Sequence, residues 1–274
     1  MDDNGVAPQW RMPDEMWERI QPLLPKLRTS RKGGRPWIEN RRIADGIFYV
    51  LRTGCQWKAV PRAFGSGSTL HRRFQQWVQR GVFRKLWQAG LLEYDELKGI
   101  QWEWQALDGA MTKAPLGGEK CGKNPTDRAK SGTKRSLLTD GVGVPLGLAV
   151  DGANRHDKKL VRRTLNSLAA ARPAPETHRP QHMCMDKGYD YPDVRELVDK
   201  WGYTAHITAR GAEAQARERI PGYRCRRWVV ERTHSWLNRF RRLLIRWEKK
   251  VANYTAMLHL VCAYITFRAA EVMG

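Results

Sequence analysis

The chain has 274 residues, an apolar fraction of 41%, and 49 Lys+Arg against 28 Asp+Glu, for a formal net charge of +21. That length supports one large domain or two smaller ones, and the charge surplus points to a polyanionic partner, most often nucleic acid. A membrane role is disfavoured: there is no basic amphipathic terminal helix or lipidation motif, and the longest apolar stretch, Met257 to Phe267, is too short to span a bilayer.

Cys55, Cys121, Cys184, Cys225 and Cys262 are scattered and form no C-x-x-C pair, which argues against a zinc ribbon and a disulfide framework. The acidic start Met-Asp-Asp-Asn-Gly lacks the apolar run of a secretory signal. A reducing cytosol is the expected compartment.

Residues 1–98 read as a helical DNA-binding domain. Asp14 and Glu15 follow Pro13, and Trp17, Ile20 and Leu24 recur at helical spacing. Arg28 to Pro36 is a basic loop. Ile43, Ile47, Val50 and Leu51 share a face of the next helix, with Gly54 as its stop. The turn Gly65-Ser66-Gly67-Ser68 introduces a further helix from about Thr69 to Arg80, with Ser68 as its N-cap and Leu70, Phe74, Trp77 and Val78 as its buried stripe. A short helix from Trp57 to Phe64 and this one, joined by the turn, fit a helix-turn-helix over about 57–80. Arg72, Arg73 and Gln76 are its candidate DNA-contacting residues, because Arg and Gln match guanine and adenine edges. A plain helical bundle with a solvated polar face is the competing reading.

From Gln101 the pattern changes, and 99–274 reads as a second, catalytic domain. Trp104 to Asp108 is strand-like. Residues 115–134 form a Gly- and Lys-rich loop, a candidate DNA clamp through Lys130 and Lys134 or else a surface loop. Arg135 to Thr139 and Pro145 to Val150 make a hairpin about Asp140-Gly141-Val142-Gly143. Asp157 caps a helix to about Ala171, and Arg172 to Pro180 is a linker. His182 to Asp186 is a strand, Pro192 starts a helix ended by Gly202, and Tyr203 to Ile207 is a last strand. Helices from Trp228 to Lys249 and through Tyr254, Leu258, Val261 and Ile265 finish the chain. The whole is an α/β protein, a mixed sheet with flanking helices in ribonuclease-H-like order, preceded by the all-α region.

Asp108 and Asp186 end apolar strand-like runs, and Glu231 stands on a basic helix. Carboxylates so placed can converge on a pair of Mg²⁺ ions, of the kind that activate an oxygen nucleophile and neutralise charge at a phosphodiester. Each has a plainer role taken alone: Asp108 and Asp186 as turn residues, Glu231 as a solvated helix residue paired with Arg227 one helical turn away or with Arg232. Asp140, Asp151, Asp157 and Asp190 compete for the metal, but their Gly-rich or cap-like surroundings suggest turns. His156-Asp157 reads as a DNA contact, as a contact behind the site, or as a helix cap with a neighbouring surface histidine. Arg227, Glu231, Ser235 and Asn238 share one face of the basic helix, and Val230, Leu237 and Leu244 another. Arg227, Asn238 and Arg242 are candidate phosphate contacts there. Among the tryptophans, Trp201, Trp228 and Trp247 are candidates to stack on bases.

Nearly the whole chain resembles the IS-five family of bacterial insertion-sequence transposases, which are DDE enzymes. The N-terminal resemblance lies in Met12-Pro-Asp-Glu-Met-Trp-Glu-Arg-Ile-Gln-Pro-Leu-Leu-Pro25, Gly34-Arg-Pro36, Arg52-Thr-Gly-Cys-Gln-Trp57 and Ser68-Thr-Leu-His-Arg-Arg-Phe74. In the second half it lies in Asp108-Gly109, Gly152-Ala-Asn-Arg-His-Asp157, Asp186-Lys-Gly-Tyr-Asp190 and Glu231-Arg-Thr233. The resemblance implies a ribonuclease-H-like fold, Mg²⁺ or Mn²⁺, and Asp108, Asp186 and Glu231 as the catalytic acids. It implies double-stranded DNA partners, namely terminal inverted repeats and a target, cleaved and joined by a homodimer or higher oligomer. Related elements surround the Glu with Tyr, Arg and Lys at minus seven, minus four and plus seven. Here those positions hold Arg224, Arg227 and Asn238, so only the arginine matches. A DNA-binding repressor, an inactive relative and a nuclease of the same fold remain the alternatives.

Overall fold

The segment Trp104–Lys113 forms the central strand, β1, which runs well past Asp108. The computed structural model describes residues 6–26, 37–207 and 226–273. The basic loop 28–36, Tyr223, Arg224 and Cys225 lie outside them. On one side β1 pairs antiparallel with β3 (Ser131–Thr139), which in turn pairs antiparallel with β4 (Pro145–Gly152) and, at its Ser131 end, with the short β2 (Gly122–Lys123). On its other side β1 pairs parallel with β5 (Gln181–Met185), and β5 with β6 (Tyr203–Ile207). An antiparallel meander that continues into parallel strands is the ribonuclease-H-like arrangement. Helices α5 (Lys158–Leu165) and α6 (Pro192–Lys200) make the crossovers. α5 stops short of the expected Ala171, and residues 166–180 have no α-helix.

The hairpin closes on a buried carboxylate. Asp140 is fully buried and accepts N–H donors from Val142, Val144 and Gln101 and the Tyr94 hydroxyl at 2.8–3.3 Å. Tyr94 belongs to α4 (Val82–Lys98), a helix not picked out from the sequence although Val82, Phe83, Leu86, Trp87, Leu91 and Tyr94 follow helical spacing. α4 lies along the last helix, α9 (Val251–Ala269), which is apolar nearly all round and therefore buried between layers. Trp87 fixes α4 to the sheet by donating its indole N–H to the Pro145 carbonyl at 3.2 Å. One continuous core thus runs from Met12 to Met273, and the change of element type near residue 98 is not a gap between cores. No described helix is long and apolar enough to cross a membrane.

The N-terminal helices are α1 (Asp14–Ile20), α2 (Asn40–Thr53) and α3 (Gly67–Gln79). Gly54 ends α2 at φ 71, a left-handed conformation that a side chain resists. The N-cap of α3 is Ser66, not Ser68: its side chain accepts the Thr69 N–H at 3.2 Å. Trp57–Ala59 and Arg62–Phe64 are only 3₁₀ turns, because Pro61 interrupts them. The first helix of the expected helix-turn-helix is therefore absent, and α3 is preceded instead by α2.

The long basic helix divides into α7 (Trp228–Asn238) and α8 (Arg241–Leu244). Phe240 turns inward against Phe48 and Tyr264, and the chain then extends so that Ile245 bridges to Lys113 beside β1. The break leaves Leu244 49% exposed, off the apolar face expected for it. It also buries Arg242, which donates Nε–H to Glu248 at 2.6 Å and N–H to the Cys55 carbonyl at 2.9 Å. Arg242 is thus a structural residue, not the expected DNA contact. Arg242→Ala would strand the Glu248 carboxylate, itself only 6% exposed, and cost about 3–5 kcal/mol, roughly 10 °C in Tm. A thermal melt tests this: an unchanged Tm with weakened DNA binding would return Arg242 to the DNA face.

Candidate active site and its relatives

Register places the two aspartates. Ala106 on β1 pairs with Cys184 on β5, so two residues on, Asp108 and Asp186 stand side by side on neighbouring parallel strands, facing the same way. Asp186 is the residue just after β5, and its carboxylate accepts the Gly188 N–H at 2.8 Å, which fixes the turn that follows.

Glu231 arrives from α7. Val230 and Leu237 bury one face of that helix against the sheet. Thr233 donates its hydroxyl to the Gly143 carbonyl at 2.7 Å, and Arg135 of β3 donates to the Asn238 side-chain Oδ1 at 2.5 Å. His234 lies beneath the site, with Nε2 3.4 Å from the Asp108 carbonyl; burial and then Arg135 push its pKa down to about 3, so it is neutral. With the helix held at its middle and its C-terminal end, Glu231 stands over the strands, half-exposed and 3.6 Å from the Arg227 guanidinium.

The three acids sense one another. The Asp108 pKa is pushed up to about 7, chiefly by burial, against the help of the Gly109 N–H; the charges of Asp186, Glu231 and Asp157 push it further. Among the competing acids, Asp140 is locked in its turn, Asp151 pairs with Arg163 and Lys120, and Asp190 pairs with Arg195. Asp157 alone belongs to the neighbourhood of the site. It makes no side-chain cap for α5, the role expected for it. Its carboxylate pairs with Lys134 at 2.9 Å, while its Oδ1 and the nearby Tyr189 hydroxyl are buried without a hydrogen-bond partner.

A close approach at Gly109 explains this. A Cβ there would lie 2.2 Å from Asp157 Oδ1 and 3.3 Å from the Tyr189 hydroxyl. Gly109 faces the side of β1 opposite Asp108, so Asp157 and Tyr189 back the strand from behind. The sequence signal was the Asp-Gly pair itself, since only a residue without Cβ fits against Asp157 there. Gly109→Ala would shift the strand under Asp108. We expect a roughly tenfold to hundredfold loss of cleavage with DNA affinity kept, measured by gel assays of both.

The expected DNA contacts divide by exposure. Arg72 and Lys130 are exposed, Gln76 partly so, Asn238 is exposed but held by Arg135, and Arg227 is drawn to Glu231. Arg73 is 3% exposed, donates to Asn40 and lies over the Trp37 and Trp77 rings, so it supports α3 from within. Lys134 is 6% exposed inside β3 and committed to Asp157 and the Arg155 carbonyl, not part of a flexible clamp.

The donors around Asp108 are hard oxygens, with a carboxyl strained by burial and by like charge, which suits a hard divalent cation. No three His, Cys, Asp or Glu side chains among the described residues form a closed metal cage. A shell completed by water and substrate phosphate is the usual habit of Mg²⁺.

Residues 12–87 match a family described as "Putative transposase of IS4/5 family", and residues 105–266 match "Transposase DDE domain". A protein of Burkholderia cepacia named "Putative transposase for insertion sequence element IS402" is 36% identical over 160 residues, 57% of this chain and 74% of that one. A 16.2 kDa uncharacterized protein of the same element is 35% identical over 116 residues, 41% of this chain and 79% of that one. Among solved structures, the Mos1 strand transfer complex covers 93% of this chain and 83% of its own at 10% identity, with a TM-score of only 0.31. Two family matches in tandem, and a sheet that seats two aspartates beneath a helix-borne glutamate, converge on one identity: the chain belongs to the DDE-domain transposases of insertion sequences, divalent-metal enzymes that cleave DNA and transfer its strands.

Proposed function

We propose that Asp108, Asp186 and Glu231 are the residues that hold the metal, a pair of Mg²⁺ ions for which Mn²⁺ substitutes. The observation that carries this is the matched placement of Asp108 and Asp186 on adjacent parallel strands under Glu231. Bound there, the pair would lower the pKa of an attacking water or 3′-hydroxyl and offset charge at the phosphate. The chain's own residues do the rest. Arg227 steadies Glu231, the Asp157–Lys134 pair backs Gly109, and neutral His234 sits below the Asp108 carbonyl.

The exposed Arg72 and Lys130 and the partly exposed Gln76, with Arg227 and Asn238 beside the acids, are the proposed contacts to duplex DNA. The DNA is the terminal inverted repeats of the element and a target, held by a homodimer or larger assembly in the bacterial cytoplasm. The test is incubation of the purified chain with end-containing duplex in Mg²⁺ or in EDTA, with a target plasmid present. Joined products in Mg²⁺ alone are expected. Cleavage without joining would make the chain a nuclease, and binding without cleavage a repressor-like relative.

A further inference from the structure

A second site lies along α7, away from the carboxylates. A cavity of about 470 Å³ opens between α2, α7 and α9, lined by Arg52, Trp236, Arg239, Phe240, Tyr264 and Arg268. Its floor is aromatic. The Arg52 guanidinium sits 4.8 Å from the Phe240 ring centre and 5.3 Å from that of Tyr264. Among the described residues, no carboxylate pairs with Arg52, Arg239 or Arg268. Cations gathered on one cavity without an anion repel one another, and an anionic guest would relieve that.

An exposed ladder leads from beside Glu231 to this cavity. The Arg232 guanidinium stacks 4.5 Å from the Trp228 ring centre and 4.7 Å from that of Trp236. Trp228 is 48% exposed. The eight-residue step from Trp228 to Trp236 spans about 12 Å of helix, the length of roughly three to four stacked bases.

Guanidinium groups above aromatic rings match the two parts of a nucleotide: phosphate for the cations, planar base for the rings. Bases inside a duplex are already stacked and cannot enter an aromatic cavity. We infer that this cavity, with its ladder, binds an unpaired nucleotide of the DNA substrate, so that a single-stranded tail beside the cleaved phosphate lies along α7 and ends between Arg239, Arg268 and Trp236. Arg52 belongs to the Arg-Thr-Gly-Cys-Gln-Trp segment, and this site gives that arginine a task that the carboxylate chemistry does not.

The inference rests on the chain's handling of DNA but not on the metal reading, and its test runs in EDTA so that the two fail separately. Fluorescence anisotropy would compare a blunt duplex with the same duplex bearing a short unpaired tail, with 2-aminopurine as the tail's base. The wild-type chain is expected to prefer the tailed duplex by about tenfold and to quench the 2-aminopurine by stacking. Arg239→Ala with Arg268→Ala, both at exposed positions, should remove most of that preference and change blunt-duplex affinity less than twofold. Trp236→Leu should abolish the quenching. No preference for the tail, or a preference and quenching that survive in these variants, would overturn the site. Free deoxyadenosine monophosphate that competes as well as the tail would reassign the cavity to a free nucleotide and overturn its role in holding DNA.

Discussion

Asp108→Asn is expected to abolish strand cleavage, by at least about a thousandfold, while leaving duplex binding within about twofold of wild type. An amide keeps the shape of the side chain but loses the charge that a hard cation needs. A thousandfold corresponds to ~4 kcal/mol of transition-state stabilisation, a modest share of what a metal pair contributes to a phosphodiester reaction. The variant should fold, because the carboxylate it removes is strained by burial and by Asp186, Glu231 and Asp157. Glu231→Gln should lose activity too, with less change in stability, since Glu231 is half-exposed and shares its charge with Arg227. Gel assays of cleavage in Mg²⁺ and of binding in EDTA decide the matter. Residual cleavage by Asp108→Asn at a tenth of the wild-type rate would remove Asp108 from the metal shell, and with it the argument from strand register.

The positions of Asp108 and Asp186 on neighbouring strands and of Glu231 on a helix were legible in the sequence, because an apolar run followed by Asp-Gly or Asp-Lys-Gly is a local signal. The hairpin and the parallel strands were legible for the same reason, as each is a short apolar segment bounded by turn residues. The contacts that bury individual polar side chains were not legible. Arg73, Lys134 and Arg242 look like DNA contacts in a basic sequence, yet each is committed to an internal partner far along the chain: Asn40, Asp157 and the Cys55 carbonyl. Nothing local marks such pairings. The break after Asn238 was hidden for a similar reason. The sequence there favours helix, and tertiary packing of Phe240 and the bridge from Ile245 to Lys113 override it. Asp157 is the instructive case, because Gly-Ala-Asn-Arg-His-Asp reads as a loop and cap until the crowding behind Gly109 is seen.

The pH response of the site should separate metal chemistry from fold stability. A carboxyl raised from its ordinary 3.8 to about 7 holds its proton more tightly in the folded chain than in the unfolded one. Without divalent cation, Asp108 therefore favours folding below about pH 4, and that contribution is lost as pH rises to about 7; three units correspond to at most ~4 kcal/mol. His234 and His259 act in the opposite sense. Burial lowers both to about 3, so each destabilises the fold in acid and ceases to do so as pH rises past its ordinary 6.5. The total pH profile would mix these effects, whereas the difference between Asp108→Asn and wild type isolates the carboxyl. In EDTA the Asn variant should melt with wild type near pH 4 and above it by several degrees at pH 8. In Mg²⁺ the wild-type Tm should recover at pH 8, since the cation takes the place of the proton, and should barely respond at pH 5. Apparent Mg²⁺ affinity should fall by up to about tenfold per pH unit below 7. A Tm difference between variant and wild type that stays flat from pH 4 to 8 would mean that Asp108 is an ordinary surface carboxylate. A Mg²⁺ response of equal size in the Asn variant would move the cation elsewhere.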